Sequence, residues 1–190
     1  MILLFLSVVK QPRNDHGLSH YLPSGRVSSA RLTSARARVF AVPVHLQAHM
    51  DTICLPDVGF SPGADCVVAG WGRSAFRSAD IQTVLKSISL PVVDDFRCES
   101  ALRRTRLGQR FVLHDSFLCA GGRAGKDACT GDGGSALACE DPLQPGRYVQ
   151  LGIVSWGIGC GTAGLPGVYA DVRQFTQWIA EQMAAEGLSL

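Results

Sequence analysis

The sequence predicts an all-β fold, one small antiparallel barrel followed by a terminal helix. Three observations carry that prediction. First, from about residue 46 onward the chain reads as short β-branched or apolar runs separated by Gly, Pro and Asp, the pattern of strands joined by tight turns. Second, there are six such runs, which suits one small barrel. Third, the only sustained helical period comes at the end.

The predicted strands follow in chain order. Asp65 to Trp71 holds the paired Val67 and Val68, and Thr83 to Val93 carries Val84, Ile88, Val92 and Val93. Ser116 to Ala120 and Ser135 to Cys139 are short runs that each contain a cysteine. Arg147 to Trp156 carries Val149, Leu151, Ile153 and Val154, and Gly167 to Asp171 ends on a carboxylate. From Val172 to Met183, Val172, Phe175, Ile179 and Met183 recur at helical spacing. Asp171 stands before them as a helix cap.

At 190 residues and 46% hydrophobic, the chain is long enough for one globular domain with a core. Its formal charge of +2 is uneven, because residues 1–40 carry six Lys/Arg against one Asp and the remainder is net acidic. Residues 24–38 are Ser/Arg-rich and acid-poor, a composition shared by transit peptides, nucleic-acid tails and solvated linkers. The linker is the simplest of these readings, so no nucleic-acid partner is expected. MILLFLSVV at the start fits a short signal h-region or a buried strand equally well, since no basic stretch precedes it. No apolar run approaches the ~20 residues of a membrane span, and no membrane association is expected.

Seven cysteines point to an oxidising compartment, hence an extracellular, secreted protein. No Cys/His spacing suggests a metal site, and no cofactor is implied. The odd count predicts three bridges and one cysteine left over. Residues 7–45 show no period, repeat or turn logic, and we expect them to be poorly ordered.

Several segments together resemble the second half of a trypsin/chymotrypsin-like serine protease: CVVAGWGR at 66–73, SFLCAGG at 116–122, KDACTGDGGSAL at 126–137 and LGIVSWGIGCGTAGLPGVYADV at 151–172. Two others, HLQAHMDTICLPD at 45–57 and LKSISLPVVDDFRCESALRRTRLG at 85–108, look more narrowly like arthropod clip-domain serine protease homologues. The likeness implies a chymotrypsin-like barrel, the second of that fold's two. It divides the chain into an unassigned segment, 1–44, and the C-terminal part of a trypsin-like domain, 45–190. MILLFL resembles the tail of the strand that follows the family's catalytic Asp, with that Asp falling before residue 1.

The resemblance also assigns roles. In the family's CxGDSGGP loop the nucleophilic serine follows Asp, and here Gly133 occupies that place. Acyl transfer requires an activated hydroxyl, an imidazole base and an orienting carboxylate; glycine has no side chain, and none of the five His lies in the family's AAHC-like setting. His49 and Asp51 form an HxD pair in a segment that the family runs along the surface. Ser135 stands two residues too late, a displacement of roughly 6–7 Å in extended chain. Gly131 and Gly133 correspond to the backbone donors of the oxyanion hole. Asp132 matches the carboxylate that pairs with a new N-terminal amine on activation, and without an IVGG-like sequence it is expected to be a buried unpaired charge.

Asp127 matches the base of the pocket that selects Arg or Lys side chains, with Ser155, Trp156, Gly157 and Gly167 resembling its walls. The family's wiring implies Cys66 with Cys139, Cys98 with Cys119 and Cys129 with Cys160. Cys54 remains unpaired, at the position where clip-domain relatives tether the domain by a disulfide. Gly159, Gly161 and Gly164 spell GxGxxG, but a turn and strand follow where a dinucleotide site needs a helix.

The leading expectation is a secreted, non-catalytic homologue that binds protein partners and regulates an extracellular proteolytic cascade of the immune type. The alternatives are a trypsin-like endopeptidase with Arg/Lys specificity whose N-terminal half is missing from this sequence, and a fragment that exposes an apolar wall.

Overall fold

The structure is a computed structural model, which describes residues 7–8, 35–36, 52–57, 59–63, 65–74, 81–185 and 187. MILLFL, most of the 1–44 segment, His49 and Asp51 lie outside these residues. Within that segment only Ser7–Val8 and Ala35–Arg36 are described, as a two-residue antiparallel pair.

The rest forms a closed antiparallel barrel. Its strands are β1 (Asp65–Gly70), β2 (Lys86–Val93), β3 (Phe117–Gly121), β4 (Ala136–Glu140), β5 (Tyr148–Trp156) and β6 (Pro166–Asp171). The order around the barrel is β1-β2-β3-β6-β5-β4, closed where Val67 and Val68 of β1 face Ala138 and Leu137 of β4. All six predicted strands are present. The second begins at Lys86 rather than Thr83, because its partner β1 ends at Gly70, which pairs with Lys86 and leaves Thr83 to Leu85 without a ladder.

Alternation sets what points inward. Cys66 and Val68 of β1 and Leu137 and Cys139 of β4 enter the core, while their neighbours are partly exposed. They meet Leu90, Leu118, Ala120, Leu151 and Tyr169 in one buried cluster. β6 is buried along its whole length. Its inner face gives Tyr169 to that cluster, whereas Val168 and Ala170 pack outward in two further clusters.

Helices cover those outward faces. One, α1 (Asp95–Arg103), was not expected from sequence. Asp94 caps it by accepting from the Arg97 N–H, and Cys98 and Leu102 pack with Cys119 and Val168. The terminal helix departs from the single Val172 to Met183 element: a 3-10 turn, Val172–Phe175, precedes α2 (Thr176–Ala185). Asp171 caps the turn through the Arg173 N–H, and Ile179 and Met183 of α2 pack on Ile153 and Ala170.

The three disulfides pair as the resemblance implies. Cys66–Cys139 joins β1 to β4, Cys98–Cys119 joins α1 to β3, and Cys129–Cys160 joins two loops. Each closes a loop, with sequence separations of 73, 21 and 31, and so restricts the unfolded chain.

Gly152 of β5 tests how tightly the barrel is filled. A Cβ there would lie 3.1 Å from Tyr169 Cβ and 3.3 Å from Leu137 Cβ. Gly152→Ala is therefore expected to destabilise by about 1–3 kcal/mol through overpacking. A lowered urea midpoint at unchanged slope would show it, and an unchanged midpoint would contradict it.

Candidate functional site

One cavity of about 300 Å³ gathers residues from three segments: the 127–133 loop, the end of β5 with the turn after it, and β6. Asp127, Gly131, Gly133, Ser155, Trp156, Gly157 and Gly167 all line it. Their convergence depends on local devices. A register irregularity between Val154 and Trp156 re-aims the end of β5. The Trp156 ring is held edge-on by Phe111 and Phe117, each with centroids at 6.1 Å. The Cys129–Cys160 bridge then fixes the two loops to each other.

The 127–133 loop is organised by Asp132. Its Oδ1 accepts from the Gly72 N–H at 2.8 Å and its Oδ2 from the Cys129 N–H at 2.9 Å. The expected unpaired charge is thus corrected, since backbone donors satisfy both oxygens. A Cβ on Gly70 or Gly72 would run into this carboxylate, so the GWG segment must present two glycines to it. Gly131, at φ 104°, sits where a Cβ would come within 3.1 Å of Gly72 Cα.

Further bonds tie the loop to the barrel. Arg73 N–H donates to Thr130 O, Gly134 N–H to Val154 O, and Val154 N–H to Ser135 O, all at 2.9 Å. Among the described residues the Gly131 and Gly133 N–H groups have no intramolecular acceptor. Gly133 differs from Gly131 in kind. Its φ is not in the left-handed region, and a Cβ there would meet nothing within 4 Å. Neither backbone nor packing demands glycine at that position.

Asp127 opens the same loop and also lines the cavity. Its Oδ2 accepts from the Gly161 N–H at 3.0 Å, whereas its buried Oδ1 has no hydrogen-bond partner among the described residues. Burial raises its pKa above the ordinary carboxylate value, opposed by the Gly161 and Ala128 N–H groups. A Cβ on Gly167 would lie 3.0 Å from that free oxygen and 3.6 Å from the Tyr169 hydroxyl. The Tyr169 hydroxyl is likewise buried without a partner. Its pKa is raised by burial first, then by the charges of Asp127 and Asp132. Tyr169 was legible only as part of the PGVY landmark; nothing in sequence showed that its hydroxyl faces Asp127 across the space that Gly167 leaves.

The remaining candidates lie elsewhere. Ser135 is absent from the cavity lining, with its Oγ near Gly70. Gly159 and Gly161 take left-handed turns, Gly164 does the same, and β6 follows them directly. Cys54 is unbridged; its strand segment pairs with Val149, and its Sγ accepts from Arg147 Nε at 3.2 Å. Among the described residues no group of His, Cys, Asp or Glu could hold a metal ion, and no helix is long and apolar enough to cross a membrane.

Comparison with known proteins places this geometry. Phenoloxidase-activating factor 2 of Galleria mellonella is 45% identical over 149 residues, 77% of this chain and 49% of that protein. Inactive CLIP domain-containing serine protease A3 of Aedes aegypti is 48% identical over 145 residues, 76% of this chain and 30% of that protein. Inactive CLIP domain-containing serine protease A28 of Anopheles gambiae is 43% identical over 152 residues, 80% of this chain and 39% of that protein. The chain therefore spans half or less of the length of these relatives. The family profile described as Trypsin matches residues 30–179. A match of that extent, on a closed six-stranded barrel ended by a helix, establishes that the chain belongs to the trypsin family, with the chymotrypsin-like fold.

Proposed function

We propose that this chain is a secreted, non-catalytic serine protease homologue that holds a basic side chain of a protein partner without cutting it. Through that binding it regulates an extracellular proteolytic cascade of the immune type. The observation that carries the reading is the contrast between two residues that line one cavity. Asp127 offers a buried oxygen with no hydrogen-bond partner among the described residues. Gly133 stands at the nucleophile position with open space where a side chain would be.

Each part has a physical basis. A cation entering the cavity restores the hydrogen bond that Asp127 Oδ1 lacks, and a charge-assisted bond in a partly buried site is worth more than a neutral one. The Gly131 and Gly133 N–H groups can receive a carbonyl oxygen. Donors alone bind; without a hydroxyl there is no acyl intermediate. Relatives named inactive, and one named a phenoloxidase-activating factor, support the same reading. Three disulfides favour an oxidising compartment. The Cys54 thiol is open to a disulfide link with another chain.

Benzamidine, an aromatic cation, is expected to bind, and Asp127→Asn to weaken it about 10–100-fold by calorimetry. Because the ionised carboxylate is the binding form and its pKa is raised, affinity grows as pH rises through that pKa and is lost on acidification. The loss begins at a higher pH than an ordinary Asp would give. The folding contribution has the opposite sense: it is present below the unfolded pKa and lost as pH rises through the folded one. No binding to a folded sample would remove the pocket from the proposal.

Gly133→Ala is expected to stabilise the fold by about 0.4–1 kcal/mol, because the position accepts a side chain without strain. Gly133→Ser is expected to fold equally well yet remain inactive on an Arg-peptide substrate, since a hydroxyl alone does not make a triad. Measurable turnover by the unsubstituted chain would overturn the non-catalytic reading.

A further inference from the structure

A second groove, of about 350 Å³, runs between α1 and the ends of β3 and β6, and shares no lining residue with the Asp127 cavity. Phe96, Ser100 and Arg104 follow one another at i, i+4 and i+8 along its helical wall, with Arg97 beside them. The opposite wall includes Gly121 and Pro166. Phe96 is 78% exposed, an unusual state for a phenyl ring at the mouth of a groove.

The charged side chains that line this groove, Arg97 and Arg104, are both basic, while Asp94, Asp95 and Glu99 of the same helix stay outside the lining. Residues 102–110 hold four arginines and no acid. Arg103 is engaged, bonding Glu99 at 2.6 Å and the Phe111 carbonyl at 2.8 Å. Arg97 pairs with Asp94, but both partners are largely exposed. Arg104, Arg106 and Arg110 are exposed and have no ion pair among the described residues. The dipole of α1 accounts for cations in its last turn, which covers Arg103 and Arg104. Arg106 and Arg110 lie beyond that turn, so helix stability gives no reason for them. Clustered like charges raise a field that draws in an anion.

We propose that this groove docks an acidic polypeptide segment with an apolar anchor side chain, the anchor covering Phe96 and its carboxylates reaching Arg97 and Arg104. A purely polar polyanion such as a sulfated glycan would satisfy the arginines but leave Phe96 uncovered, which is why the apolar component decides the partner's class. This site is independent of the Asp127 cavity and of whether the chain is catalytic.

The test uses a short fluorescein-labelled peptide of Glu, Asp and Leu, with three rivals: the same peptide with Gln and Asn for the acids, polyglutamate, and heparin. Anisotropy should show saturable binding of the first peptide, weakened by added salt. Phe96→Ala and the pair Arg97→Ala/Arg104→Ala should each reduce its affinity about tenfold, while Asp127→Asn leaves it unchanged. These positions are exposed, so an unaltered thermal transition in each variant confirms that the loss is local. The proposal is overturned if the acidic peptide fails to bind or binds no better than its Gln/Asn counterpart. It is also overturned if polyglutamate or heparin binds as tightly and Phe96→Ala has no effect, or if Asp127→Asn abolishes binding.

Discussion

The carboxylate of Asp132, gripped by the Gly72 and Cys129 N–H groups, is the constraint on which the cavity depends. It fixes the 127–133 loop against the exit of β1, and it needs the space that Gly70 and Gly72 leave. Once that contact is made, Gly131 sits close against Gly72, and Gly131 and Gly133 line the cavity. The Cys129–Cys160 bridge then carries the same restraint to the turn that follows β5. A carboxylate taken from water costs several kcal/mol unless its oxygens find donors, so this grip and the loop's shape stand or fall together.

Asp127 makes the opposite use of the same group a few residues away. One of its oxygens is bonded to backbone and the other is left without a partner in a buried place. An unsatisfied acceptor of this kind is unfavourable for folding, and under the proposed function a bound cation supplies what it lacks. Tyr169 shares that lack across the gap kept open by Gly167. The same residue type is a rivet at 132 and, under that proposal, a receptor at 127, the two differing in their supply of N–H donors.

Much of this was legible in the chain. The strands showed because Val, Ile and alternating apolar positions mark a half-buried pleat, and Gly and Pro mark its turns. The helix α1 escaped because only Cys98, Ala101 and Leu102 are buried in its nine residues, and one of those three reads first as a disulfide cysteine. Its signals were electrostatic: Asp94 as cap, Asp95 in the first turn, and Glu99 four residues before Arg103. The partners of Asp132 were illegible in principle, since backbone donors carry no letter in a sequence. So was the meeting of Tyr169 with Asp127, which arises from three segments closing on one space.

The open position at Gly133 has a kinetic consequence. In a working protease a bound segment leaves in two ways, by dissociating or by being cut, and the second route empties the cleft. Under the proposed function only the first remains, so occupancy is governed by the off-rate alone. Nor is binding energy drawn off into a strained, reacting state, because there is no transition state to favour over the ground state. On that proposal the cleft works as a timer, set by how long a partner stays, where a working protease is a blade.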